Sequence, residues 1–383
     1  MSTPVPFTLS VPDSALADLR ARLALTRFPD QVFEPWEMGS DLGFMQRLTA
    51  YWRDGFDWRA AEARLNALPQ FRVRLDGFDQ HFIRVEGQGP SPVPLLLVHG
   101  WPGSVLEFLD IIPRLTDPGR FGGDPADAVT VIAPSLPGYT LSFQPGQARF
   151  GVEEMAGTLA RLMTEVLGYD RFAAQGGDWG SFVTSRIAYE HPDRMIGLHL
   201  NMVPIRRDPT LAETATAEER AYAEALTVFL KEETGYQWIQ GTRPLTLAYG
   251  LTDSPAGLAA WIIEKFQRWA DCGGDPLSVF SMDQLLANVS LYWFTGSIGS
   301  SFHPYHARMH RPWPIPDGGP ITVPTGYAAF PTEIVRPPRS LAARTYRDIR
   351  RWTVMERGGH FAAMEQPEAL AREILAFLRP LRA

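Results

Sequence analysis

The sequence predicts an α/β architecture: a mostly parallel sheet with helices on both faces, a helical lid insertion, and an amino-terminal helical meander. Three observations predict it. Apolar runs at 95–98, 129–133 and 172–174, each bounded by Gly or Pro, alternate with helical stretches at 106–115 and 155–167. Such runs are the mark of parallel strands buried on both faces. The alternation continues through a helix at 181–189 and a strand at 196–200, gives way to helical and aromatic sequence between Pro204 and Pro320, and resumes with strands at 321–327 and 351–355. Finally, 383 residues with 45% hydrophobic and 21% charged side chains are enough to fill a sizeable core, which excludes a disordered chain or a disulfide scaffold.

Taken in order, the first segment (1–69) reads as a meander that packs on another body. Asp13 or Ser14 can cap a helix with Leu16, Leu19 and Leu23 on one face, and Ser40 precedes a second helix through Trp52. Pro29, Pro35, Trp36 and Trp58 suit wrapping loops, and the segment is small for a core of its own. Residues 70–203 form the first part of the core. They begin with the alternating Phe71, Val73 and Leu75, an Asp76-Gly77 turn and a second strand at 82–85, which together read as a hairpin. Residues 204–320 form the lid, with helices at 226–231, 258–269 and 283–292, and residues 321–383 return to the core and close with a helix at 367–378. Placed between strand ends, the insertion is expected to cover them.

With 36 Lys+Arg against 43 Asp+Glu, the chain carries a formal charge of −7 and no long basic run. A nucleic-acid partner is therefore not expected, because phosphate binding needs a concentrated cationic surface. The single cysteine, Cys272, cannot form an internal disulfide, and Met1 to Ser10 lacks a basic start and an apolar stretch. The expectation is a cytoplasmic protein without a membrane anchor, since no apolar run approaches the ~20 residues of a spanning helix. A homo-oligomer is compatible with the chain.

Three segments carry chemistry. Gln175-Gly176-Gly177-Asp178-Trp179-Gly180 lies between a strand and a helix. Small neighbours permit a sharp turn there, and the turn presents Asp178 at the carboxyl end of the sheet. A carboxylate in that place displaces at saturated carbon and forms an alkyl ester on the enzyme, although Asp is also a favoured helix cap. His99-Gly100-Trp101-Pro102 follows the strand at 95–98. In an α/β-hydrolase this loop lends a backbone N–H to an oxyanion hole, and the second comes from the residue after the nucleophile, which would make the donors Trp101 and Trp179. Gly358-Gly359-His360-Phe361 follows the last strand, where His360 could activate water against an ester on Asp178. Glu333 is the candidate acid in the order nucleophile, acid, His, with Asp348 as competitor.

On these residues the chain resembles the microsomal-type epoxide hydrolases. The likeness runs through HGWP, GGDWGS, Asn288 to Gly296 (NVSLYWFTG), Pro324 to Glu333 (PTGYAAFPTE) and GGHFA. It implies an α/β-hydrolase fold and a cofactor-independent, metal-free reaction of a small apolar epoxide with water. It also implies Asp178 as nucleophile, His360 as base and Glu333 as its acid. Tyr236 and Tyr305 match two lid tyrosines that donate hydrogen bonds to the epoxide oxygen; by themselves they read equally as aromatic packing. Membrane attachment, a feature of some family members, is not carried over.

Two other readings stand beside this one. A haloalkane dehalogenase would share the Asp, the His and the Trp after the nucleophile, but needs a donor side chain for halide at the place of Trp101, whereas tyrosine donors suit an alkoxide. A non-catalytic binding protein on the same fold is the third. His303, His306 and His310 do not read as zinc ligands, since Pro304 is expected to break a helix there and no Cys or paired carboxylate joins them. Gly119, Gly122 and Gly123 lack the Lys-Ser/Thr ending of a phosphate loop. Asn288-Val289-Ser290 fits a glycosylation sequon that has meaning only in a secreted chain.

Overall fold

The computed structural model describes residues 3–206, 214–316 and 319–382. Met1 and Ser2, the start of the stretch read for a secretory signal, lie outside them. Nine strands form one sheet: β1 (Val5–Phe7), β2 (Gln70–Leu75), β3 (Phe78–Val85), β4 (Val93–Val98), β5 (Val129–Pro134), β6 (Phe172–Gly176), β7 (Met195–Leu200), β8 (Thr325–Ala329) and β9 (Ile349–Val354). Their order is β1-β2-β3-β5-β4-β6-β7-β8-β9. The pairs β1/β2, β2/β3 and β3/β5 are antiparallel, and the rest from β5 to β9 are parallel. This is the mostly parallel sheet expected from the alternation of apolar runs and helices, in the strand order of the α/β-hydrolase fold that the resemblance implies.

The reasons are local. β5 is buried at every position, as a central strand covered by helices on both faces must be. Asp76 and Gly77 both have positive φ, 52° and 80°, the two-residue turn whose twist matches its antiparallel strands. It sets the register Leu75↔Phe78.

Several elements differ from the sequence reading. The first helix, Asp13–Ala24, follows Pro12 without a side-chain cap, so Asp13 lies inside its first turn. The second, Leu42–Asp54, is capped by Asp41 rather than Ser40, and a third, Trp58–Asn66, is capped by Asp57. The expected helix at 106–115 divides into a 3-10 turn, Val105–Phe108, and a short helix, Ile112–Thr116. Pro113 in that helix's first turn cannot donate the N–H that would continue the turn before it. Ile321 makes only an isolated bridge to Tyr346, and the strand itself starts at Thr325. Pro304 does not break a helix: it occupies the first turn of His303–His310, where a missing N–H costs nothing.

The lid is more helical than the sequence suggested. Ala217–Glu232, Gly235–Thr242, Pro244–Asp253, Pro255–Trp269 and Met282–Thr295 follow one another. The amino-terminal segment is tied to it: Trp52 Nε1 donates to Ser290 Oγ at 2.9 Å, Tyr51 OH to Asp283 Oδ1 at 2.8 Å, and Ser40 Oγ to the Ala260 carbonyl at 2.8 Å. Leu19, Phe44, Leu48 and Trp52 join the same apolar cluster as Leu258, Ile262 and Val289. Among the described residues, no helix is long and apolar enough to cross a membrane.

Candidate active site

The site is assembled where parallel strands end. β4 and β6 are neighbours with Val98 opposite Gly176, so the loops that follow them emerge side by side. Beyond β6 the chain turns straight into the helix Asp178–Glu190, and Asp178 sits at φ 45°. That left-handed conformation costs a residue with a Cβ roughly 1–2 kcal/mol and aims its side chain out of the turn. Gly180 lets the turn pack against β4, because a Cβ there would stand 2.0 Å from the Val98 carbonyl oxygen.

Asp178 is enclosed, and its Oδ1 accepts the Trp101 N–H at 2.8 Å. The Trp179 N–H also bonds to the carboxylate. Burial opposes the charge on Asp178, but His360 and these two amides overcome it and hold the carboxyl below its ordinary range. The amides expected to form an oxyanion hole are therefore already turned toward the Asp178 carboxylate.

His360 stands on the other side, its Nε2 3.6 Å from Asp178 Oδ2 and its Nδ1 2.8 Å from Glu333 Oε1. Glu333 lies in the loop after β8 and is also fixed by the Ile334 N–H at 2.7 Å. Asp348, the competitor, is half-exposed and bonded to Arg350 instead. Burial works against a charged His360, yet the Glu333 and Asp178 carboxylates raise its pKa from 6.5 to about 10. A raised folded-state pKa contributes stability that is complete below the unfolded value and vanishes as pH passes the folded one. The stability advantage of wild type over His360→Gln, read from denaturant midpoints, is thus expected to shrink steadily from pH 6.5 to pH 10.

An aromatic box closes the site from the lid. Tyr236 stacks on Trp101 with centroids 5.4 Å apart, Tyr305 packs edge-on to Trp179 at 4.7 Å, and the two tyrosines meet at 5.7 Å. Burial, followed by the neighbouring Tyr236 and Asp178, pushes the Tyr305 phenol well above its usual value. Tyr305 is thereby kept as a neutral donor, with the Trp179 indole N–H toward its oxygen and, among the described residues, no acceptor for its hydrogen. Of the lid tryptophans, Trp269 packs edge-on to His360 at 5.0 Å, Trp238 is largely exposed, Trp261 bonds to Gln240, and Trp293 faces Arg22.

Two supporting sets escaped the sequence reading. Glu365 accepts the N–H groups of Asp271, Gly359 and Phe361 at 2.8, 2.9 and 2.9 Å, bracing the His360 turn. The NVSLYW run clamps the HGWPGS loop: Asn288 Nδ2 donates to the Pro102 carbonyl at 2.8 Å, Asn288 Oδ1 accepts from Ser104 Oγ at 2.8 Å, and Tyr292 OH donates to the Gly103 carbonyl at 2.7 Å. The signal available was polar residues at helical spacing in an apolar segment. Asn288 is buried in this clamp, so the sequon is not displayed at the surface. Asn288→Leu leaves the Pro102 carbonyl and the Ser104 hydroxyl buried without this partner and is expected to cost about 3 kcal/mol of stability, measurable by urea denaturation.

The remaining histidines have other duties. His99, whose Nε2 accepts the Leu136 N–H at 3.1 Å, is pushed down to about 4 by burial. His306 and His310 stack at 4.1 Å, and among the described residues no group of three or more His, Cys, Asp or Glu is placed to hold a metal.

A parallel-sheet core, a strained acidic elbow and a buried Asp–His–Glu line under a helical lid define an α/β-hydrolase-fold enzyme. Residues 4–108 match the family described as epoxide hydrolase N terminus, and residues 93–226 match the alpha/beta hydrolase fold. Over 381 residues the chain is 45% identical to an epoxide hydrolase-named protein of Stigmatella aurantiaca, covering 99% of this chain and 85% of that one. It is 37% identical to epoxide hydrolase 1 of Oryctolagus cuniculus, covering 97% and 88%. The crystal structure of juvenile hormone epoxide hydrolase from Bombyx mori superposes with a TM-score of 0.89 at 31% identity, covering 100% of this chain and 95% of that one. The Aspergillus niger epoxide hydrolase structure gives 0.87 at 32%, covering 99% and 97%. The chain belongs to the epoxide hydrolase family.

Proposed function

We propose that the protein converts small apolar epoxides and water to vicinal diols through an ester on Asp178. Asp178 Oδ2 attacks a ring carbon, the C–O bond breaks, and Tyr236 or Tyr305 gives the departing oxygen a proton that the His360 imidazolium replaces. The ester has lost one of the two carboxylate charges that raised His360, and the imidazole, having given up its proton, is now a base. Water attacks Asp178 Cγ, its proton passes to His360 Nε2, and the Trp101 and Trp179 N–H groups hold Oδ1 as it gains charge. Collapse expels the diol oxygen, which takes the remaining hydroxyl proton, and restores the carboxylate and the imidazolium. Residues 204–320 serve as the lid.

The observation that carries this reading is the pairing of two buried phenols with an acidic elbow. Tyr305 also lines an outer cavity with Leu230, Trp238, Met309 and Trp313, next to Arg206 and Arg308, an aromatic approach suited to an apolar ring. A cytoplasmic location accords with the composition. The test is turnover on aryl, alicyclic and terminal epoxides beside matched haloalkanes, scoring diol and free halide together. Diol without halide is expected; halide without diol would make the protein a dehalogenase, a reading its relatives do not favour. Tyr236→Phe and Tyr305→Phe are each expected to slow ring opening about 10²-fold, as read by the rate of ester formation in rapid-quench experiments.

A further inference from the structure

The reaction needs a second hydrogen-bond acceptor for its water. To attack Asp178 Cγ, the water must hand one hydrogen to His360 while its oxygen lone pair stays free for the carbon. Its second hydrogen is then the donor left to fix its orientation, and an unoriented nucleophile forfeits much of the proximity advantage. Behind Asp178 and His360 lies a cavity with about 20 Å³ open to water, against the roughly 10–15 Å³ that one water requires. Its wall includes Asp178, His360, Gln175, Asn201 and Glu107.

Glu107 is the carboxyl in that wall which neither the elbow nor the Asp–His–Glu line uses. It belongs to the 3-10 turn Val105–Phe108 that the clamped HGWPGS loop leads into. A Cβ on Gly103 would fall 1.4 Å from Glu107 Oε1, so the carboxyl occupies space that only a glycine at 103 leaves open. The Ser104 N–H donates to it, the reciprocal bond of a capping box. A capping box accounts for one lone pair, and it works as well at a solvent-exposed helix end. Here the residue is half-buried and lines the internal cavity beside Asp178 and His360. Burial pushes the carboxyl up to about 8, with His360 pulling it down and Asp178 pushing it further up. Enclosing a carboxyl costs stability, and capping alone does not require it. In either protonation state one carboxyl oxygen can accept.

We infer that Glu107 is a positioning residue for the hydrolytic half of the reaction, accepting the second hydrogen of the water that His360 deprotonates. The inference rests on the two-step reading above. Glu107 acts on the water and not on the epoxide, so its loss falls on ester breakdown. Gly103 and the Asn288–Tyr292 clamp set its place, which gives the NVSLYW and HGWPGS segments a joint purpose.

The experiment is rapid-quench kinetics with a radiolabelled epoxide on wild type, Glu107→Leu and Glu107→Gln, following protein-bound label over time. In Glu107→Leu the ester is expected to form within about threefold of the wild-type rate and to break down about 10²-fold more slowly, so that kcat and KM fall together. Glu107→Gln keeps an acceptor oxygen and is expected to break down its ester about tenfold faster than Glu107→Leu, still below wild type. The burst of bound label also reports that each variant is folded. Breakdown at the wild-type rate in both variants overturns the inference, and so does an equal slowing of formation and breakdown, which is what capping alone would give. Absence of bound label from both wild type and His360→Gln after mixing with an epoxide that wild type turns over to diol overturns instead the ester mechanism itself, and the role of Glu107 with it.

Discussion

Replacing Asp178 with alanine is expected to abolish diol formation, with a loss of more than about 10⁴-fold and no label retained on the protein after mixing with epoxide. The size follows from the site. Neither partner of the Asp–His–Glu line can take its place as nucleophile: His360 Nε2 lies behind the carboxylate, 3.6 Å from Oδ2, and Glu333 is held on the far side of the imidazole at 2.8 Å. Water could replace the nucleophile only by attacking the epoxide directly, without the ester carbonyl that the Trp101 and Trp179 amides are placed to stabilise. Because Asp178 sits at φ 45°, the alanine variant retains the strain of the elbow and folds with the same geometry cost. Residual turnover near wild type, measured by diol release, would remove Asp178 from the chemistry.

His360→Gln is expected to separate the two steps. Ring opening needs the carboxylate and the phenols, and these remain; the proton that the phenol gives up then has to come from water in place of the imidazolium. Ester hydrolysis needs a base next to Asp178 Cγ, and among the described residues His360 is the imidazole in that place, with Glu333 fixing its ring through Nδ1 at 2.8 Å. Loss of a positioned general base costs about 10²–10⁴-fold. The ester should therefore accumulate to nearly one per site, visible as a mass increase of one epoxide on intact protein, while steady turnover nearly stops. Normal steady turnover by His360→Gln would defeat the mechanism. Glutamine also removes the imidazolium that holds Asp178 low, so ring opening in this variant should fail at a higher pH, as protonation of Asp178 sets in earlier on acidification.

Much of this was legible one residue at a time. Gly-Gly-Asp-Trp-Gly after an apolar run names a turn and its projecting side chain, since small residues and a short polar one satisfy a local steric requirement. The buried strands β4, β5 and β6 were legible for the same reason: a strand covered on both faces has to be apolar throughout. The edge strand β1, with two of its three residues exposed, carries no such pattern and was missed. So were the lid helices Gly235–Thr242 and Pro244–Asp253, whose apolar residues are shared between packed and exposed faces, as the exposure of Trp238, Leu245 and Tyr249 shows.

The sequence by itself determined the alternation of strands and helices in the core and the elbow with Asp178 in it, because turn chemistry and burial patterns act over a few neighbouring residues; His360 and Glu333 followed from their order along the chain, and Tyr236 and Tyr305 from the family resemblance alone. Only the tertiary structure decided which acid meets His360: Glu333 and Asp348 flank the same stretch of chain, and the path after β8 brings one against the imidazole and leaves the other with Arg350. It also decided that Asn288 and Tyr292 hold a loop about 185 positions away, and that Glu107 shares a cavity with Asp178. Those contacts join residues far apart in the chain, and what fixes them is the closure of the sheet and the seating of the lid, which no local pattern encodes.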